Sequence, residues 1–249
     1  MALLRADELD RLCVLLVATR NPLNIGAVAR AMSNFGFSRL RVVRPYEPSF
    51  REARSAVGAA QVLAEAQEYS TVADAVADCV LVVGTTAAHN RQVQHPLKLL
   101  RAGAGPLREK LQQGRVALLF GSEKTGLSNE DLAHCHWLVR IPTVSKHASM
   151  NLGQAVALCL YEIAHGVEPG ELEQQRTDEV VPANAGQAER LTTLLLEALR
   201  ASGYVRPGSG SVTEEKIRRL VRRLHLSSTD AELMMGMLQQ ILWKARSGH

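Results

Sequence analysis

The sequence predicts an α/β protein: a parallel sheet with helices on both faces, followed by a small all-α C-terminal domain. Short aliphatic runs alternate with helical patterns through the first 165 residues, as they do in parallel sheets. Hydrophobic residues make up 46% of the chain and aromatic residues only 4%, so Leu, Val and Ala must form most of the core. That composition is typical of strands buried between two layers of helices. Beyond residue 185 the patterns are helical only.

Five short aliphatic runs are predicted to form the strands, because a strand buried on both faces is apolar throughout. Pro45 is expected to end the second of them, since proline lacks the backbone N–H that a central strand needs. In chain order the predicted strands are Cys13–Ala18, Leu40–Val43, Cys79–Val83, Val116–Phe120 and Trp137–Ile141.

Helices are predicted between and after these strands. Asn24 and Ser149 are suited to N-cap the helices that follow the first and last strands. Gly103 and Gly105 are expected to break the segment before the fourth strand into two short helices. The predicted helices of this part of the chain are Asn24–Phe35, 71–78, Leu97–Leu100, Leu107–Leu111 and Ser149–Ala164.

The C-terminal part is predicted to be a separate helical unit. Residues 1–167 form the first domain, and residues 168–185 have the Glu, Gln, Pro and Gly content of a linker. Residues 186–249 contain three helical patterns. They are Gln187–Ser202, Thr213–Leu226 with a capping box from Ser211 to Glu214, and a last helix that opens with Thr229 and Glu232.

The net charge of +4 is unevenly distributed along the chain. The first domain carries 18 Lys and Arg against 14 Asp and Glu, the linker one against five, and the C-terminal unit ten against six. Two basic blocks therefore flank an acidic strip, and each block is able to face a polyanion.

The middle C-terminal helix is the most basic element. Ile217, Leu220, Val221 and Leu224 form one apolar stripe along it, and cations cover most of the rest. Clustered cations favour contacts with RNA phosphates, but a charged helix face is also typical of ordinary solvated surface, and both interpretations stay open. The candidate RNA-binding residues are Lys216, Arg218, Arg219, Arg222 and Arg223.

Several classes of protein are excluded. The longest apolar runs span about six residues, far fewer than the roughly 20 that a membrane helix needs. The N-terminal segment carries acids and lacks the apolar stretch of a secretory signal. The four cysteines lie far apart, which predicts buried free thiols in a reducing cytoplasm. No metal site is expected, because the neighbours His134, Cys135 and His136 cannot converge on one ion.

Three segments are unusual for a plain scaffold, and each follows a predicted strand. The second has the glycine spacing of a P-loop, but Leu127-Ser128 stands where Lys-Ser or Lys-Thr must follow, so ATP or GTP binding is not expected. Ligands of α/β proteins bind at this edge of the sheet. The segments are Asn24-Ile-Gly-Ala-Val-Ala-Arg30, Leu119-Phe-Gly-Ser-Glu-Lys-Thr-Gly-Leu127, and the stretch from Ile141-Pro to Ser149-Met-Asn-Leu-Gly153.

In this order and at these separations, the segments resemble the motifs of the SPOUT superfamily of RNA methyltransferases, specifically its SpoU/TrmH branch. The resemblance spans roughly residues 12–165. Val83-Gly-Thr-Thr-Ala87 and the C-terminal helices also resemble one group of that branch. That group methylates the ribose 2′-hydroxyl of cytidine or uridine at position 32 of the tRNA anticodon loop.

The resemblance implies a deep trefoil knot in the C-terminal part of the sheet, S-adenosylmethionine bound in that knot, and tRNA as the substrate. It also implies a homodimer in which two protomers build each active site. Catalytic or substrate-orienting roles fall to Asn24, Arg30, Glu123, Ser149 and Asn151. Cofactor contacts are implied for Thr85, Thr86, Ala87, Gly121, Ile141, Ala148, Ser149 and Met150.

The chemistry of these residues agrees with methyl transfer from a sulfonium, which requires neither a metal nor a covalent intermediate. The hydroxyl oxygen must lie in line with the methyl group, and its proton must be removed or polarised. A guanidinium with a pKa above about 12 is a poor base. We therefore expect Arg30 to clamp a phosphate beside the reacting hydroxyl, and the identity of the base stays open.

One loop departs from the pattern of this group. Val144-Ser-Lys-His147-Ala148 stands where Asn-Pro-Glu, an aromatic residue and Ser are more usual. His147 is expected to stack on a base as the aromatic would, or to lie on the surface. Ala148 and Met150 are expected to contact the cofactor mainly through their backbones. The departure puts the preferred nucleotide in question.

Two other functions stay open. One is a sister enzyme that methylates another ribose of tRNA or ribosomal RNA. The other is an RNA-binding protein on the same scaffold without activity, which the intact Asn24, Arg30 and Glu123 disfavour. The apolar last helix fits either a core or a dimer contact.

Overall fold

Seven strands form one sheet in which every neighbouring pair is parallel. The computed structural model describes residues 4–46, 60–87, 95–144, 149–165, 181–205 and 210–247. The strand order is β3-β2-β1-β6-β4-β7-β5. The strands are β1 Leu12–Val17, β2 Arg39–Val43, β3 Gln67–Tyr69, β4 Cys79–Thr85, β5 Leu97–Leu99, β6 Arg115–Phe120 and β7 Trp137–Arg140.

Ten helices surround and follow the sheet in the described part of the chain. Those of the first part are α1 Ala6–Leu9, α2 Pro22–Asn34, α3 Ala60–Ala64, α4 Val72–Ala75, α5 Leu100–Gln113, α6 Asn129–Ala133 and α7 Leu152–His165. Those of the C-terminal unit are α8 Ala185–Ala201, α9 Gly210–Arg223 and α10 Ser228–Ser247. The predicted fold class is confirmed, and the knot stays what the family resemblance implies.

The core lies on both faces of the sheet. In β1 all six residues are buried, and alternate side chains enter opposite layers because successive residues of a strand point to opposite faces. Val14 and Leu16 join the layer of α2 and α7, while Leu15 joins the layer of α4 and α6. All four cysteines are free and buried, as predicted.

Two edge strands are absent from the sequence prediction. Gln67–Tyr69 pairs with β2, and Leu97–Leu99 pairs with β7 where a helix is expected. Three residues are too few to show a strand pattern in the sequence, so register with a neighbour decides the conformation. The expected break in the following helix is also wrong, because α5 continues through Gly103. A Cβ there would lie 3.1 Å from the Trp137 ring, so this glycine permits close packing.

Four helix starts differ from the prediction. Asn21, rather than Asn24, caps α2, since its side chain accepts a hydrogen bond from the Leu23 N–H at 3.0 Å. Asn151 takes the place expected for Ser149, accepting from the Gln154 N–H at 3.3 Å. The predicted box at Ser211 is also wrong, because α9 begins at Gly210, and Ser227 rather than Thr229 accepts the N–H of Asp230. Closely spaced polar residues offer several possible caps, and packing of the helix selects one.

The C-terminal helices pack on the sheet domain. The Gly186 N–H at the start of α8 donates to the Ala77 carbonyl at 2.7 Å, and α8 contacts both α9 and α10. Most of the predicted linker, residues 168–180, lies outside the described residues, so the domain limits stay predictions. Within the described part of the chain, no helix is long and apolar enough to cross a membrane.

Candidate active site

A cavity of about 690 Å³ opens at the carboxyl ends of β4, β6 and β7. Parallel α/β sheets bind ligands at this edge because the loops after neighbouring strands diverge there. Seven of the eight predicted cofactor residues line it, and the eighth, Ala148, lies outside the described residues. The seven are Thr85, Thr86, Ala87, Gly121, Ile141, Ser149 and Met150.

The loop after β6 is closed so tightly that it requires glycine at both ends. A Cβ on Gly121 would lie 2.0 Å from the backbone carbon of Gly126, and Gly126 has a φ of +68°. The Gly126 N–H donates to the Ser122 carbonyl at 2.8 Å, and the hydroxyls of Ser122 and Thr125 share a hydrogen bond of the same length. The loop therefore holds Glu123 in a fixed place on the cavity wall.

Glu123, Asn24 and Asn151 form one hydrogen-bond network. The amide Nδ2 of Asn24 donates to Glu123 Oε1 at 3.1 Å, and Asn151 Nδ2 donates to Asn24 Oδ1 at 2.9 Å. The backbone N–H groups of Arg20 and Asn21 also donate to the Glu123 carboxylate, at 3.3 and 3.2 Å. The three residues come from three separate segments of the chain, so folding alone brings them together.

The Glu123 carboxylate sets the orientation of this network. Partial burial acts to raise its pKa, but the hydrogen bonds from Asn24 and the loop backbone outweigh burial, and the pKa is lowered. An ionised carboxylate only accepts hydrogen bonds, so Asn24 must turn its amino group toward it and its carbonyl oxygen toward Asn151. Neither Asn is free to flip.

The walls of the cavity combine fixed strand ends with apolar side chains. Thr85 Oγ1 donates to the Leu119 carbonyl at 2.8 Å, and the Thr86 N–H donates to the Val139 carbonyl at 3.0 Å. Further lining residues that were not among the predicted cofactor contacts include Phe120, Leu127, Leu132, Val139, Thr143 and Leu152. Phe120 and Val139 belong to predicted strands, and Leu127 and Leu152 belong to the quoted motifs, so these positions could have identified them.

The residues present fit a nucleoside cofactor. The volume lies within the roughly 300–1,000 Å³ of pockets for molecules of that size, and apolar walls with a few hydroxyls and loop backbone suit an adenosine. Among the described residues, no group of three or more His, Cys, Asp or Glu is placed to hold a metal ion.

Comparison with known proteins agrees with this geometry. The model of the SpoU rRNA Methylase family matches residues 11–161, which contain every element of the cavity. The chain belongs to this family. The resemblance predicted from the three motifs is therefore confirmed.

Other SpoU family members resemble the whole chain, including the C-terminal helices. The tRNA (cytidine/uridine-2′-O-)-methyltransferase TrmJ of Sodalis glossinidius is 33% identical over 94% of this chain and 92% of its own length. The tRNA (cytidine/uridine/adenosine-2′-O-)-methyltransferase TrmJ of Pseudomonas aeruginosa is 33% identical over 96% of each chain. The crystal structure of TrmJ from Z. mobilis ZM4 superposes with a TM-score of 0.79 and 32% identity, over 92% of this chain and 98% of that one.

Arg30 is the one predicted catalytic residue of this SpoU family chain that lies apart from the others. It is exposed on α2 and is not among the residues that line the cavity. It follows Asn24 by six residues, which places it about 9 Å farther along the helix and about 120° around it. Asn24, Glu123, Ser149 and Asn151 all line the cavity.

The structure divides the five cations predicted to form an RNA-binding face. Lys216 and Arg223 are exposed. Arg222 is only 2% exposed, and it donates to the Ala185 carbonyl at 3.0 Å and to Glu189. Arg218 also binds Glu189, and Arg219 pairs with Glu215 at 3.9 Å.

The apolar stripe predicted on α9 is only partly buried. Val221 of that stripe is 3% exposed, whereas Leu220 and Leu224 are 41% and 46% exposed, and the buried Arg222 lies next to Val221. The carboxylate of Glu189 on α8 explains the burial of Arg222, because it binds two guanidiniums at the helix interface.

Proposed function

We propose that the protein transfers a methyl group from S-adenosylmethionine to a ribose 2′-hydroxyl of tRNA, at cytidine or uridine of position 32 in the anticodon loop. The observation that supports it most is the Glu123–Asn24–Asn151 network on the wall of a nucleoside-sized cavity. The names and full-length coverage of the TrmJ relatives support tRNA as the substrate.

S-adenosylmethionine, when bound, supplies an electrophilic methyl group on a sulfonium. Thr85, Thr86 and Ala87 would hold it from the β4 end, Gly121 from the β6 loop, and Ile141, Ser149 and Met150 from the segment between β7 and α7. Residues of the two segments after β6 and β7 line the same cavity, and they would limit the access of water to the reacting atoms.

The network orients the substrate rather than attacking it. Asn24 and Asn151 each use one amide proton within the network and keep a second proton for the ribose or its phosphate. Because Glu123 stays ionised, it holds these donors in place throughout the reaction and adds negative potential that favours a cation nearby. We assign Arg30 as this cation, and it would clamp the phosphate next to the reacting ribose.

A homodimer explains how Arg30 reaches a site that it does not line. Arg30 lies on an exposed surface of α2 with Leu23, which is 80% exposed, and the neighbouring α7 exposes Leu158 and Tyr161. Apolar side chains of this size on one surface are typical of a subunit contact. A second copy on this surface would bring its own Arg30 toward the cavity of the first.

Two cations of α9, Lys216 and Arg223, are exposed, and these two would bind RNA phosphates. Arg218, Arg219 and Arg222 serve contacts within the protein. A location in the cytoplasm, where tRNA is processed, stays a prediction.

Mapping of ribose methylation on tRNA tests this function. Bulk tRNA from cells with and without the gene is compared nucleotide by nucleotide, and methylation at position 32 should disappear without the protein and return on incubation with purified protein and S-adenosylmethionine. Loss at another nucleotide would replace the proposal with a sister methyltransferase. Purified protein that binds tRNA but not S-adenosylmethionine would identify an RNA-binding protein without activity.

A further inference from the structure

A second, smaller cavity lies between the sheet domain and the C-terminal helices. Its volume is about 140 Å³, well below the roughly 300–1,000 Å³ of pockets for drug-sized ligands, so it has room for a small ion and not for a nucleoside. Four basic side chains line it from both sides of the domain junction: Lys110 of α5, His136 before β7, Arg222 at the end of α9, and His225. Glu109, whose side chain is exposed, is the one acid among the described lining residues.

The charges around this cavity do not balance. Two guanidiniums, those of Arg218 and Arg222, share the single carboxylate of Glu189. Among the described residues, Glu189 is the only carboxylate paired with Arg222, and the buried Arg222 Nε–H has no hydrogen-bond partner. A positive charge buried to this extent is stable only beside a counter-charge.

Two further cavity residues have hydrogen-bond donors to offer. Lys110 donates one of its three ammonium protons to Gln113 Oε1 at 2.8 Å. The Val82 N–H donates to His136 Nδ1 at 3.0 Å, so Nδ1 carries no proton and the neutral ring must carry it on Nε2. His136 is therefore a fixed donor through Nε2.

His225 adopts a strained backbone conformation at the cavity. Its φ of +46° lies in the left-handed region, where residues with a side chain are uncommon. This conformation stacks its ring on that of His136, with centroids 5.9 Å apart and planes inclined by 23°. Strained residues of this kind cluster at ligand sites.

We infer that this cavity is an oxyanion site that takes one tetrahedral group of the size of sulfate or phosphate, held by Lys110, His136, Arg222 and His225. The inference is independent of the proposed methyl transfer, because the cavity shares no lining residue with the active site. The oxyanion comes either from free inorganic phosphate or from a phosphodiester of a bound RNA.

Calorimetric titration of the full-length protein with sodium sulfate, at constant ionic strength set with sodium chloride, tests the site. We expect saturable binding of one sulfate per chain and at least a tenfold loss of affinity in Lys110→Ala and in His225→Ala. Lys244→Ala is the matched control, because it removes an exposed α10 cation that does not line the cavity, and its affinity should equal that of the wild type. Far-ultraviolet circular dichroism of each variant verifies that it is folded.

Heats without saturation in the wild type would overturn the inference, and so would equal losses in Lys110→Ala and Lys244→Ala.

Titration of tRNA then distinguishes the two sources of the oxyanion. If the occupant is a phosphodiester of RNA, sulfate should compete with tRNA for binding. Lys110→Ala should then also lower the slope of log tRNA affinity against log salt concentration by about one. If the occupant is free inorganic phosphate, Lys110→Ala should bind tRNA with the affinity of the wild type. Because sulfate binding is measured without S-adenosylmethionine, it does not depend on whether the protein methylates RNA.

Discussion

Glu123 and Glu189 are both carboxylates with lowered pKa values, but they are stabilised by different partners. Glu123 stands at the active-site cavity and accepts hydrogen bonds from neutral donors, namely one amide and two backbone N–H groups. Glu189 stands at the domain junction and binds the guanidiniums of Arg218 and Arg222.

The different partners give the two carboxylates different functions. Glu123 acts on a bound substrate, and Glu189 stabilises the packing of two helices. Neutral donors leave the charge of Glu123 uncompensated, so its potential extends into the cavity and acts on a substrate. Guanidiniums neutralise Glu189, so its charge serves to join α8 to α9. We therefore expect substitutions at Glu123 to change turnover and substitutions at Glu189 to change stability.

The largest expected effect is the loss of stability in Glu189→Ala. Removal of this carboxylate leaves Arg222, whose side chain is 1% exposed, without a counter-charge, and breaking such a buried pair costs about 3 kcal/mol. Urea unfolding measures the change. Glu197→Ala on the same helix is the control, because its pair with Arg246 is exposed and should contribute less than about 1 kcal/mol. Equal losses in the two variants would contradict the comparison.

Arg30→Ala should lower methylation by about 100-fold, or about 2.7 kcal/mol of transition-state stabilisation, with unchanged binding of S-adenosylmethionine. A tRNA methylation assay and calorimetry measure the two quantities. Near-normal turnover would remove Arg30 from the mechanism.

Subunit mixing tests whether Arg30 acts across the dimer. Arg30→Ala and Asn24→Ala proteins, refolded together in equal amounts, should recover roughly one quarter of wild-type activity, since half the dimers are mixed and each of these has one intact site. Absence of recovery would place Arg30 in the site of its own subunit.

Glu123→Gln should lower kcat/KM by about tenfold and leave the unfolding free energy within about 0.5 kcal/mol, because a neutral amide gives Asn24 a weaker acceptor. Glu130→Gln, on the exposed face of α6, is the control and should retain full activity. A loss of stability without a loss of turnover would reverse the roles assigned to the two carboxylates.

The smallest expected effect is the pH dependence of stability that Glu189 contributes. Burial acts to raise its pKa, but the nearby guanidiniums outweigh burial and lower it below the usual 4.5. Its contribution is therefore complete above pH 4.5 and is lost as the pH falls below that value toward the folded-state pKa. Urea midpoints between pH 6 and pH 3 should fall less steeply in Glu189→Gln than in the wild type. Parallel slopes would show that this carboxylate is not ionised preferentially in the folded protein.

The central strands and the active-site motifs were predictable because they depend on local pattern. A strand buried on both faces is continuously apolar, and the loop after β6 contains the two glycines that its geometry demands. The interaction of Asn24 was not predictable in the same way. Its position suited an N-cap, but Asn21 takes that role, which leaves the Asn24 amide for Glu123, a residue 99 positions away in the sequence.

The burial of Arg222 was also beyond the sequence pattern. Periodicity along α9 places Leu220, Val221 and Leu224 on one stripe, and Val221 is buried, but nothing within that helix indicates that an acid on α8 will attract the arginines. Pairing with the preceding helix therefore helps to decide which face of a segment with few apolar residues is buried.

Removal of a single hydroxyl from the tRNA tests whether the 2′-oxygen at position 32 receives the methyl group. Two synthetic tRNAs of identical sequence are compared, one with ribose and one with 2′-deoxyribose at position 32, and each is incubated with the protein and labelled S-adenosylmethionine. We expect incorporation of one methyl group into the ribose form and none into the deoxy form. Equal incorporation into both would show that the enzyme methylates a different atom, and the proposed function would then be wrong.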